Sequence, residues 1–511
     1  MRRIGIDVGG TNTDAVLIED GRVAGAVKAP TTVDVTGGIL NALERLTATG
    51  VVGSEPVDAV MIGTTHFINA VVQRRWLTRV GAIRIGMPAS ASLPPFCDWP
   101  EDLASAVKGD VAMVEGGHEY DGRPFMPLDH GAIRDAARRM ADWGIRSVAI
   151  SAIFSPLDPG HEQEAAAIVS EEIPGCSITC SWELGRIGLL ERENASLLNA
   201  ALADLAGTTV AAFEQAIMDS GLSAPLYITQ NDGTVVDAAR AMQLPIHSFA
   251  SGATNSMRGA AYLSGVADAV VADVGGTTTD IGQIRHGFPR EANAVVKIGG
   301  VRTLFRMPDL LSFGLGGGSH VVLDPLSVGP LSVGYRLTSD ALAFGGGRLT
   351  TTDIGVATSL IAIGERNKVA HLDYSTCNHV LRHVRGMIED WVDQVKTEAG
   401  DVVLLAVGGG AFLIPDKLDG VSEVIRVPHG DCANAVGAAI AQISGEVDQV
   451  FRDMTRDQAI VIARSLAEDR AAAAGADRAT LSVIETEDIP IAYLPGNARR
   501  VRVRCVGEVA R

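Results

Sequence analysis

One octapeptide occurs twice in this chain, and this repeat is the feature that most limits its fold. DVGGTNTD begins at Asp7 and DVGGTTTD begins at Asp273, 266 residues later, with seven of the eight positions identical. In each copy an apolar run precedes the Gly-Gly-Thr turn and another follows it, which predicts two antiparallel strands joined by a tight turn. Two such units indicate a duplicated domain in which each half offers one glycine turn.

The rest of the chain alternates between strand-like and helix-like patterns, which predicts an α/β protein. Residues 88–130 are rich in Pro, Gly and Asp with weak periodicity, so we expect an insertion or lid there. Residues 246–252 are predicted to form a short strand followed by a glycine turn. From about residue 446 the pattern predicts a helix and two strands, of which RRVRVRCVGEV alternates like an exposed edge.

Charge and composition exclude several classes of protein. The chain has 43 Lys and Arg against 61 Asp and Glu, a formal net charge of −18. This charge argues against a nucleic-acid binder or a protein bound to anionic membranes. We find neither a signal peptide nor 18 consecutive uncharged apolar residues, so we expect a cytoplasmic protein without a membrane span. The six cysteines form no disulfide framework, and Cys176 and Cys180 are expected to be buried thiols rather than metal ligands.

The two glycine turns have the chemistry of a phosphate site. Successive glycine N–H groups can converge on an anion, and threonine hydroxyls add donors. Asp7 and Asp273 end the preceding strands and are predicted to hold Mg²⁺, with Asp280 as a third candidate. The predicted phosphate contacts are Gly9, Gly10, Thr11 and Thr13 in the first copy and Gly275, Gly276, Thr277 and Thr279 in the second.

A third glycine run, Gly408, Gly409 and Gly410, follows the predicted strand DVVLLAV. Glycines there let the backbone lie flat against a nucleobase or ribose, although the run alone equally fits a helix-packing turn. Two phosphate turns and a nucleoside turn, in this order, complete an ATP site. The chain has neither G-x-x-x-x-G-K-[ST] nor G-x-G-x-x-G after a strand, which excludes a P-loop enzyme and disfavours a dinucleotide-binding fold.

The order of these turns resembles the superfamily of actin, sugar kinases and Hsp70. The segments between them resemble one branch of it, the hydantoinase/oxoprolinase family. The similar segments are MIGTTHFINAVVQRR (61–75), GHEYDGRPFMPLD (117–129), SWELGRIGLLERENASLLNAAL (181–202), YITQNDG (227–233), FASGATNSMRGAAYLSG (249–265) and GLGGGSH (314–320).

The resemblance implies an α/β fold of duplicated actin-like ATPase domains, of the ribonuclease H-like type, around an interdomain nucleotide cleft. Insertions and a small C-terminal α+β tail complete this expected fold. We divide the chain accordingly into halves 1–185 and 186–445 and a tail 446–511. The similarity covers about residues 1–445, whereas the family's large subunits usually carry a bigger C-terminal domain. Leu311 stands where the family commonly has His or Asn, and SGAT replaces the usual SGPA, so both departures concern the acceptor substrate.

The resemblance also implies a function. The expected activity is that of an ATP- and Mg²⁺-dependent hydrolase, or its ATPase subunit, which opens a hydantoin, oxoproline or lactam by phosphorylating the carbonyl oxygen. A second hydantoinase-type subunit or further copies of the chain are the expected partners, and nucleic acid and membrane are not. Three alternatives stay open: a small-molecule kinase, an ATP-dependent carboxylase subunit, and a non-catalytic ATP-gated partner protein. An Fe–S activator ATPase is disfavoured because no cysteine pair lies near the glycine turns.

The acceptor is expected to meet polar residues outside the glycine turns. His66 is also a candidate catalytic group, although it equally fits an ordinary histidine near a helix start. Arg192 could instead belong to a solvated helix face, and Asn231 with Asp232 could form an ordinary turn. The candidates are Thr64, Thr65, His66, Asn69, Arg186, Arg192, Asn194, Asn231 and Asp232.

Overall fold

The computed structural model describes residues 1–9, 12–30, 35–185, 187–292, 295–492 and 496–510. Its strands are β1 Arg2–Val8, β2 Asn12–Glu19, β3 Arg22–Pro30, β4 Ala59–Thr64, β5 Val80–Met87, β6 Lys108–Glu115, β7 Ser147–Ala152, β8 Ser177–Cys180, β9 Leu226–Thr229, β10 Thr234–Asp237, β11 Ala269–Val274, β12 Thr279–Arg285, β13 Phe288–Pro289, β14 Val296–Ile298, β15 Val301–Thr303, β16 Leu310–Phe313, β17 Ser319–Leu323, β18 Leu326–Ser332, β19 Val402–Val407, β20 Val421–Arg426, β21 Gln442–Phe451, β22 Ser482–Pro490 and β23 Arg499–Gly507. Its helices are α1 Val35–Ala48, α2 His66–Gln73, α3 Glu101–Val107, α4 His130–Asp142, α5 Gly160–Glu172, α6 Leu189–Ala201, α7 Ala203–Asp219, α8 Ala238–Gln243, α9 Ser251–Ser264, α10 Leu337–Asp340, α11 Thr351–Ala357, α12 Tyr374–Val395, α13 Ala433–Ala439 and α14 Arg456–Ala473.

Both copies of the repeat form the same local unit. β1 and β2 are antiparallel with Asp7 opposite Asp14, and β11 and β12 are antiparallel with Asp273 opposite Asp280. The first strand of each hairpin also pairs in parallel with a later strand, β4 in one copy and β19 in the other. In each turn the first glycine N–H donates to the carbonyl three residues on, at 3.1 and 2.8 Å. The predicted duplication is therefore confirmed.

The two hairpins lie in two different mixed sheets. The first belongs to a nine-stranded sheet of order β22-β23-β21-β10-β9-β4-β1-β2-β3, and the second to a sheet of order β13-β12-β11-β19-β20, with β16 also pairing with β12. A third sheet, β6-β5-β7-β8, is entirely parallel. Helices α1 and α7 pack on the first sheet, α12 on the second, and α4 and α5 on the third. The predicted α/β class with two related halves is confirmed.

Helices α9 and α13 cross in direct contact and join the first two sheets. A Cβ on Gly259 would lie 1.8 Å from the Ala433 carbonyl oxygen, and one on Gly437 would lie 1.8 Å from the Asn255 carbonyl oxygen. Only glycine allows the two backbones to approach so closely. Because α13 packs on β1 and β2 while α9 packs on β11 and β19, this helix pair fixes the two repeats relative to each other.

Residues 88–130, where we expect an insertion or lid, contain α3 and also β6, which pairs with β5. Two predictions of local structure are wrong. Residues 246–252 form the end of a 3₁₀ turn and the start of α9, because a short apolar run cannot be assigned to strand or helix by periodicity. β23 is an interior strand between β21 and β22, and its Arg502 and Arg504 are buried because carboxylates such as Glu291 pair with them.

The C-terminal residues extend the sheet of the first repeat. β21 pairs in parallel with β10, and β23 and β22 follow it outward. Helix α14 packs along β21 and β23 through a row of buried alanines. The boundaries at 185/186 and 445/446 stay predictions.

Among the helices described, no single one is long and apolar enough to cross a membrane. Helices α6 and α7 together have the length and composition of a membrane span, but they meet at an angle of 53°. The residues of α6 from Arg192 to Ala201 are buried within the protein.

Candidate nucleotide site

The ends of β1 and β11 meet beside the first turns of α9 and α13. The Asn434 side chain of α13 donates a 2.7 Å hydrogen bond to Asp7 Oδ2, and the Ser256 hydroxyl of α9 bonds the Asp273 carboxylate. The charge of Asp273 contributes to the raised pKa of Asp7, so the two carboxylates belong to one electrostatic site. The structure thus brings the two predicted metal-binding aspartates together.

Asp7 is the most perturbed carboxylate of this site. Its side chain is buried, and among the residues described its Oδ1 has no hydrogen-bond partner. Burial, together with the charges of Asp14 and Asp273, raises the pKa of Asp7 to about 8. Burial likewise raises the pKa of Asp273 to about 6, with a contribution from Asp280. Such crowding of buried carboxylates is typical of a site that receives a cation.

Asp14 and Lys28 complete the first-repeat side of the site, and the sequence analysis missed both. Lys28 Nζ donates to Asp14 Oδ2 at 2.7 Å and to the Asp431 carbonyl at 2.9 Å. Burial raises the pKa of Asp14, and the Lys28 ammonium opposes this shift. Asp14 is the counterpart of Asp280 in the repeat, so the alignment of the two copies contained its signal. Lys28 and Asn434 lie outside every motif, so the sequence contained no signal for either of them.

The third glycine turn packs directly against the end of β11. Gly408 has a φ of +86°, and a Cβ there would lie 2.3 Å from Asp273 Oδ1, so the position requires glycine. The Gly410 N–H donates to the Val274 carbonyl at 2.7 Å. A Cβ on Gly409 would meet no atom within 4 Å, so this glycine faces open space. The turn predicted to contact the nucleoside therefore borders the second phosphate turn.

The glycine segment that contains Gly317 and Gly318 packs against the second Gly-Gly-Thr turn. The N–H groups of Gly317 and Gly318 donate to the carbonyls of Gly275 and Gly276 at 3.0 and 2.7 Å. Thr277 and Gly276 are exposed, whereas the buried Thr279 donates its hydroxyl proton to the Leu315 carbonyl at 2.7 Å. The hydroxyl of Thr279 is thus committed to the fold.

In the first turn, Gly9 is half-buried and Thr13 is fully buried. Gly10 and Thr11, which were also predicted to contact phosphate, lie outside the described residues.

The donor set fits Mg²⁺ bound as a hydrated nucleotide complex. Asp7 and Asp14 each have one buried carboxylate oxygen without a partner in the described part of the chain. Among these described residues, no three His, Cys, Asp or Glu side chains form a group that could hold a metal by themselves. Mg²⁺ usually keeps several waters and is bound by one or two carboxylates together with substrate phosphates. The assignment of Asp7 and Asp273 to the metal stays a prediction.

Three acceptor candidates lie together at the start of α2. Asn69 is exposed, and its amide donates to the Thr65 hydroxyl at 3.3 Å. His66 stacks on the exposed Trp76 with ring centroids 5.6 Å apart, and partial burial lowers the pKa of His66.

The first turn of α9 connects this group to the carboxylates. A Cβ on Gly252 would lie 3.5 Å from Thr65 Cγ2 and 3.7 Å from Asp7 Oδ1. Thr64 is fully buried, and its N–H donates to the Ser251 hydroxyl at 3.3 Å. Thr65 and Asp7 therefore lie close to each other across Gly252, with Asn69 beside Thr65 on α2.

Asn231 and Asp232 are part of the protein interior instead. The Asn231 amide donates to the carbonyls of Ile246 and Arg306 at 3.1 and 3.0 Å. Asp232 forms ion pairs with Arg306 and Arg504, which hold its pKa well below the usual range against the opposing effect of burial. The polar atoms of both residues are already paired within the fold, and the interpretation that they bind the acceptor stays a prediction.

Arg192 and Asn194 are structural as well. Arg192 is 0% exposed and donates to the Ser181 hydroxyl at 2.9 Å and to the Ile187 carbonyl at 2.8 Å. The alternative of a solvated helix face is therefore wrong, whereas the contact of Arg192 with the acceptor stays a prediction. Asn194 accepts a 2.7 Å hydrogen bond from the Trp99 indole. Arg186 lies outside the described residues.

Two family models match the chain. The hydantoinase/oxoprolinase N-terminal region matches residues 3–173, and the hydantoinase/oxoprolinase model matches residues 192–447.

Two curated relatives are similar to this chain to the same degree. The caprolactamase subunit alpha of Pseudomonas jessenii is 27% identical over 393 residues, which cover 71% of this chain and 55% of the relative. The acetophenone carboxylase gamma subunit of Aromatoleum aromaticum is 27% identical over 395 residues, which cover 71% of this chain and 53% of the relative. The chain thus spans about half the length of these curated relatives.

Solved structures support the fold. The ATP-dependent caprolactamase from Pseudomonas jessenii superposes with a TM-score of 0.75 at 20% identity, and nucleotide-free acetone carboxylase with 0.69 at 17%. Each superposition covers 100% of this chain and 88% of the other. Together with the family models and the paired hairpins, these findings show that the chain belongs to the hydantoinase/oxoprolinase family.

Proposed function

We propose that this chain is the ATP-using subunit of an enzyme that opens a small cyclic amide, such as a hydantoin, an oxoproline or a lactam. The observation that carries this proposal is the meeting of Asp7 and Asp273, one from each repeat, beside the glycine turns. The relatives named as caprolactamase support the substrate class.

The chemistry explains why such a reaction needs ATP. An amide carbonyl is a poor electrophile because its nitrogen donates electrons into it. ATP bound with Mg²⁺ would supply a phosphoryl group for the carbonyl oxygen, after which water or a nucleophile of a partner can attack the carbon. For such a transfer a protein provides mainly positioning and charge neutralisation.

The residues of this chain have distinct roles in the proposed site. Asp7 and Asp273 orient the hydrated metal, and Asn434 fixes the Asp7 carboxylate through its 2.7 Å hydrogen bond. Lys28, held by Asp14 and the Asp431 carbonyl, places an ammonium group near the first turn. The turn amides bind phosphate oxygens, which an acidic chain without a P-loop lysine requires.

The acceptor is proposed to bind beside Thr65, His66 and Asn69. Because partial burial lowers the pKa of His66, its imidazole is neutral at pH 7 and can accept a proton or a hydrogen bond. Thr65 lies close to Asp7 across Gly252, so an acceptor bound there would be close to the first glycine turn.

Phosphate release tests this proposal. The protein, combined with its cognate second subunit, is assayed with ATP and Mg²⁺ in the presence of hydantoins, lactams and oxoproline. We expect at least one cyclic amide to stimulate phosphate release severalfold. A complete panel without stimulation would refute the proposed substrate class.

Substitutions test the site itself. Asp7→Ala and Asp273→Ala should each abolish Mg²⁺-dependent turnover while the circular dichroism spectrum stays unchanged. Asp401→Ala removes an exposed carboxylate before β19 and should retain full activity. Unchanged turnover in the first two variants would contradict the assignment.

An ATP-dependent carboxylase subunit is the second candidate function. The acetophenone carboxylase gamma subunit is as similar to this chain as the caprolactamase subunit is, at 27% identity. Cyclic-amide opening and ketone carboxylation both involve a weak electrophile. In both, ATP serves to activate an oxygen atom of that electrophile. The same assay therefore includes a ketone with bicarbonate, and stimulation by this pair alone would favour the carboxylase.

A partner subunit belongs to this proposal. Both curated relatives are named as subunits, alpha in one case and gamma in the other. Analytical ultracentrifugation of the chain with its cognate second subunit should show a stable complex, and the absence of one would refute this part.

A further inference from the structure

A cavity of about 640 Å³ lies at the ends of α9 and α13 that point away from the carboxylates. It is large enough for a small organic ligand. Its lining comes from β1 and β2 of the first sheet, from the last turn of α9, and from the turn before β13 of the second sheet. A molecule bound here would therefore contact both halves of the protein.

Arg258 of α9 is the unusual residue of this cavity. It is only 8% exposed, its guanidinium carbon lies 3.7 Å above the centre of the Phe288 ring, and one of its terminal nitrogens donates to the Gly287 carbonyl at 3.0 Å. Its Nε has no hydrogen-bond partner among the described residues, and none of their carboxylates lies within 4 Å of the guanidinium. Asp232, whose charge acts on Arg258 most strongly, is paired with Arg306 and Arg504.

This guanidinium stays charged in spite of its burial. Burial lowers the pKa of Arg258 to about 10, which is still well above neutrality. The charges of Asp232 and Glu508 favour the charged form, but both carboxylates are paired with other arginines, so no direct ion pair repays the desolvation of Arg258. An anion that entered the cavity would supply the missing partner.

The other polar groups of the cavity are already paired. Arg3 forms an ion pair with Glu508, and the Gln442 amide donates to Glu508 at 2.9 Å. The Tyr262 hydroxyl donates to the Gly21 carbonyl. One unpaired cation therefore remains on this lining, in the described part of the chain.

The remaining lining is largely apolar. It includes Ile18, Val266 and Ile440 together with three alanines, Ala261, Ala267 and Ala439. Apolar surface of this kind favours the hydrocarbon part of a ligand. One cation beside an aliphatic surface fits a molecule with one carboxylate and an apolar body.

We propose that this cavity binds a small aliphatic carboxylate, whose carboxylate pairs with Arg258 while its hydrocarbon chain packs against the apolar lining. The proposal goes beyond the ATP-dependent reaction and does not depend on it, since the cavity lies at the other end of the helix pair.

Isothermal titration with hexanoate tests the proposal on the whole protein without nucleotide. We expect saturable binding, at least about tenfold weaker for acetate, which lacks the hydrocarbon chain, and none for hexylamine, which has the opposite charge. Absence of hexanoate binding, or equally tight binding of hexylamine, would overturn the proposal.

Variants locate the binding. Arg258→Met should weaken hexanoate binding at least about tenfold, and it should not lower the thermal midpoint because it removes an unpaired buried charge. The exposed Arg464 of α14 offers the matched control, and Arg464→Met should bind hexanoate like the wild type.

A second variant keeps the test independent of Arg258. Ala267 is exposed on the cavity lining, so Ala267→Trp can occupy the cavity without disturbing the core. It should also lose hexanoate binding. Binding that stays at the wild-type level in Arg258→Met or in Ala267→Trp contradicts the proposed site, whatever the outcome of the phosphate-release assay.

Discussion

Replacement of Asp7 by asparagine should change how the stability of the nucleotide-free protein depends on pH. The pKa of this carboxyl is about 8 in the folded protein, against an ordinary value of 3.8, and burial is the main cause. Between these two values the folded state binds the proton more tightly than the unfolded state does. The wild type therefore loses stability as pH rises from about 4 to about 8, and Asp7→Asn removes this loss.

The expected magnitude follows from the pKa difference. One pKa unit corresponds to about 1.36 kcal/mol, so the penalty grows by roughly 3 kcal/mol between pH 5 and pH 7. For a chain of this length this corresponds to about 3 °C in the unfolding midpoint. The asparagine oxygen can still accept the hydrogen bond from Asn434, so the packing around it changes little.

Differential scanning calorimetry measures this effect. Wild type, Asp7→Asn and Asp401→Asn are compared at pH 5, 6, 7 and 8 with EDTA present and nucleotide absent. The midpoint of Asp7→Asn should rise relative to wild type as pH increases, whereas that of Asp401→Asn, an exposed position, should follow wild type. A constant difference between Asp7→Asn and wild type over this range would refute the reasoning.

Two further predictions concern the buried ion pairs and the packing around the carboxylates. Asp232→Asn removes a buried carboxylate from its pair with Arg306 and should cost about 3–5 kcal/mol at pH 7, measured by urea unfolding. Because its pKa is lowered, this stabilisation is present above about pH 4 and is lost only as pH falls below it; a variant that stays less stable by the same amount at pH 2 would contradict this. A Cβ on Gly63 would lie 3.0 Å from Asp7 Oδ1, so Gly63→Ala should lower ATP turnover at least about tenfold. Gly207→Ala adds a methyl group with no atom within 4 Å and should leave turnover unchanged, and equal rates in both variants would exclude the steric argument.

The sequence was most informative where structure is local. The Gly-Gly-Thr turns and their flanking apolar runs are contiguous, and two copies reinforce each other, so both hairpins and their duplication could be predicted. Asp14 was missed although the second copy contains its counterpart, Asp280. The site residues Lys28 and Asn434 could not be predicted, because only the pairing of β3 with β2 and the packing of α13 on β1 bring them to Asp7.

The sequence did not show which internal partners the acceptor candidates have, because burial decides the partners of a polar residue. The sequence positions of three polar residues fit a ligand cleft and an interior hydrogen-bond network equally well. These residues are Asn231, Asp232 and Arg192. Their partners come from distant segments, such as Arg306 and Arg504 for Asp232. A single sequence does not show which distant charge reaches a given carboxylate, so pairing and ligand binding look alike in it.

The two copies of the octapeptide are nearly identical, but the surrounding fold has made their carboxylates unequal. Asp14 in the first copy is paired with the Lys28 ammonium, whereas its counterpart Asp280 accepts a hydrogen bond from a serine hydroxyl. Asp7 nevertheless has the higher pKa, about 8 against about 6 for Asp273, because burial raises the pKa of Asp7 more than the nearby Lys28 ammonium lowers it. Nearly identical motifs in the two halves thus give two carboxylates of unequal proton affinity. For the metal site that we propose, a dication would relieve more electrostatic strain at Asp7 than at Asp273.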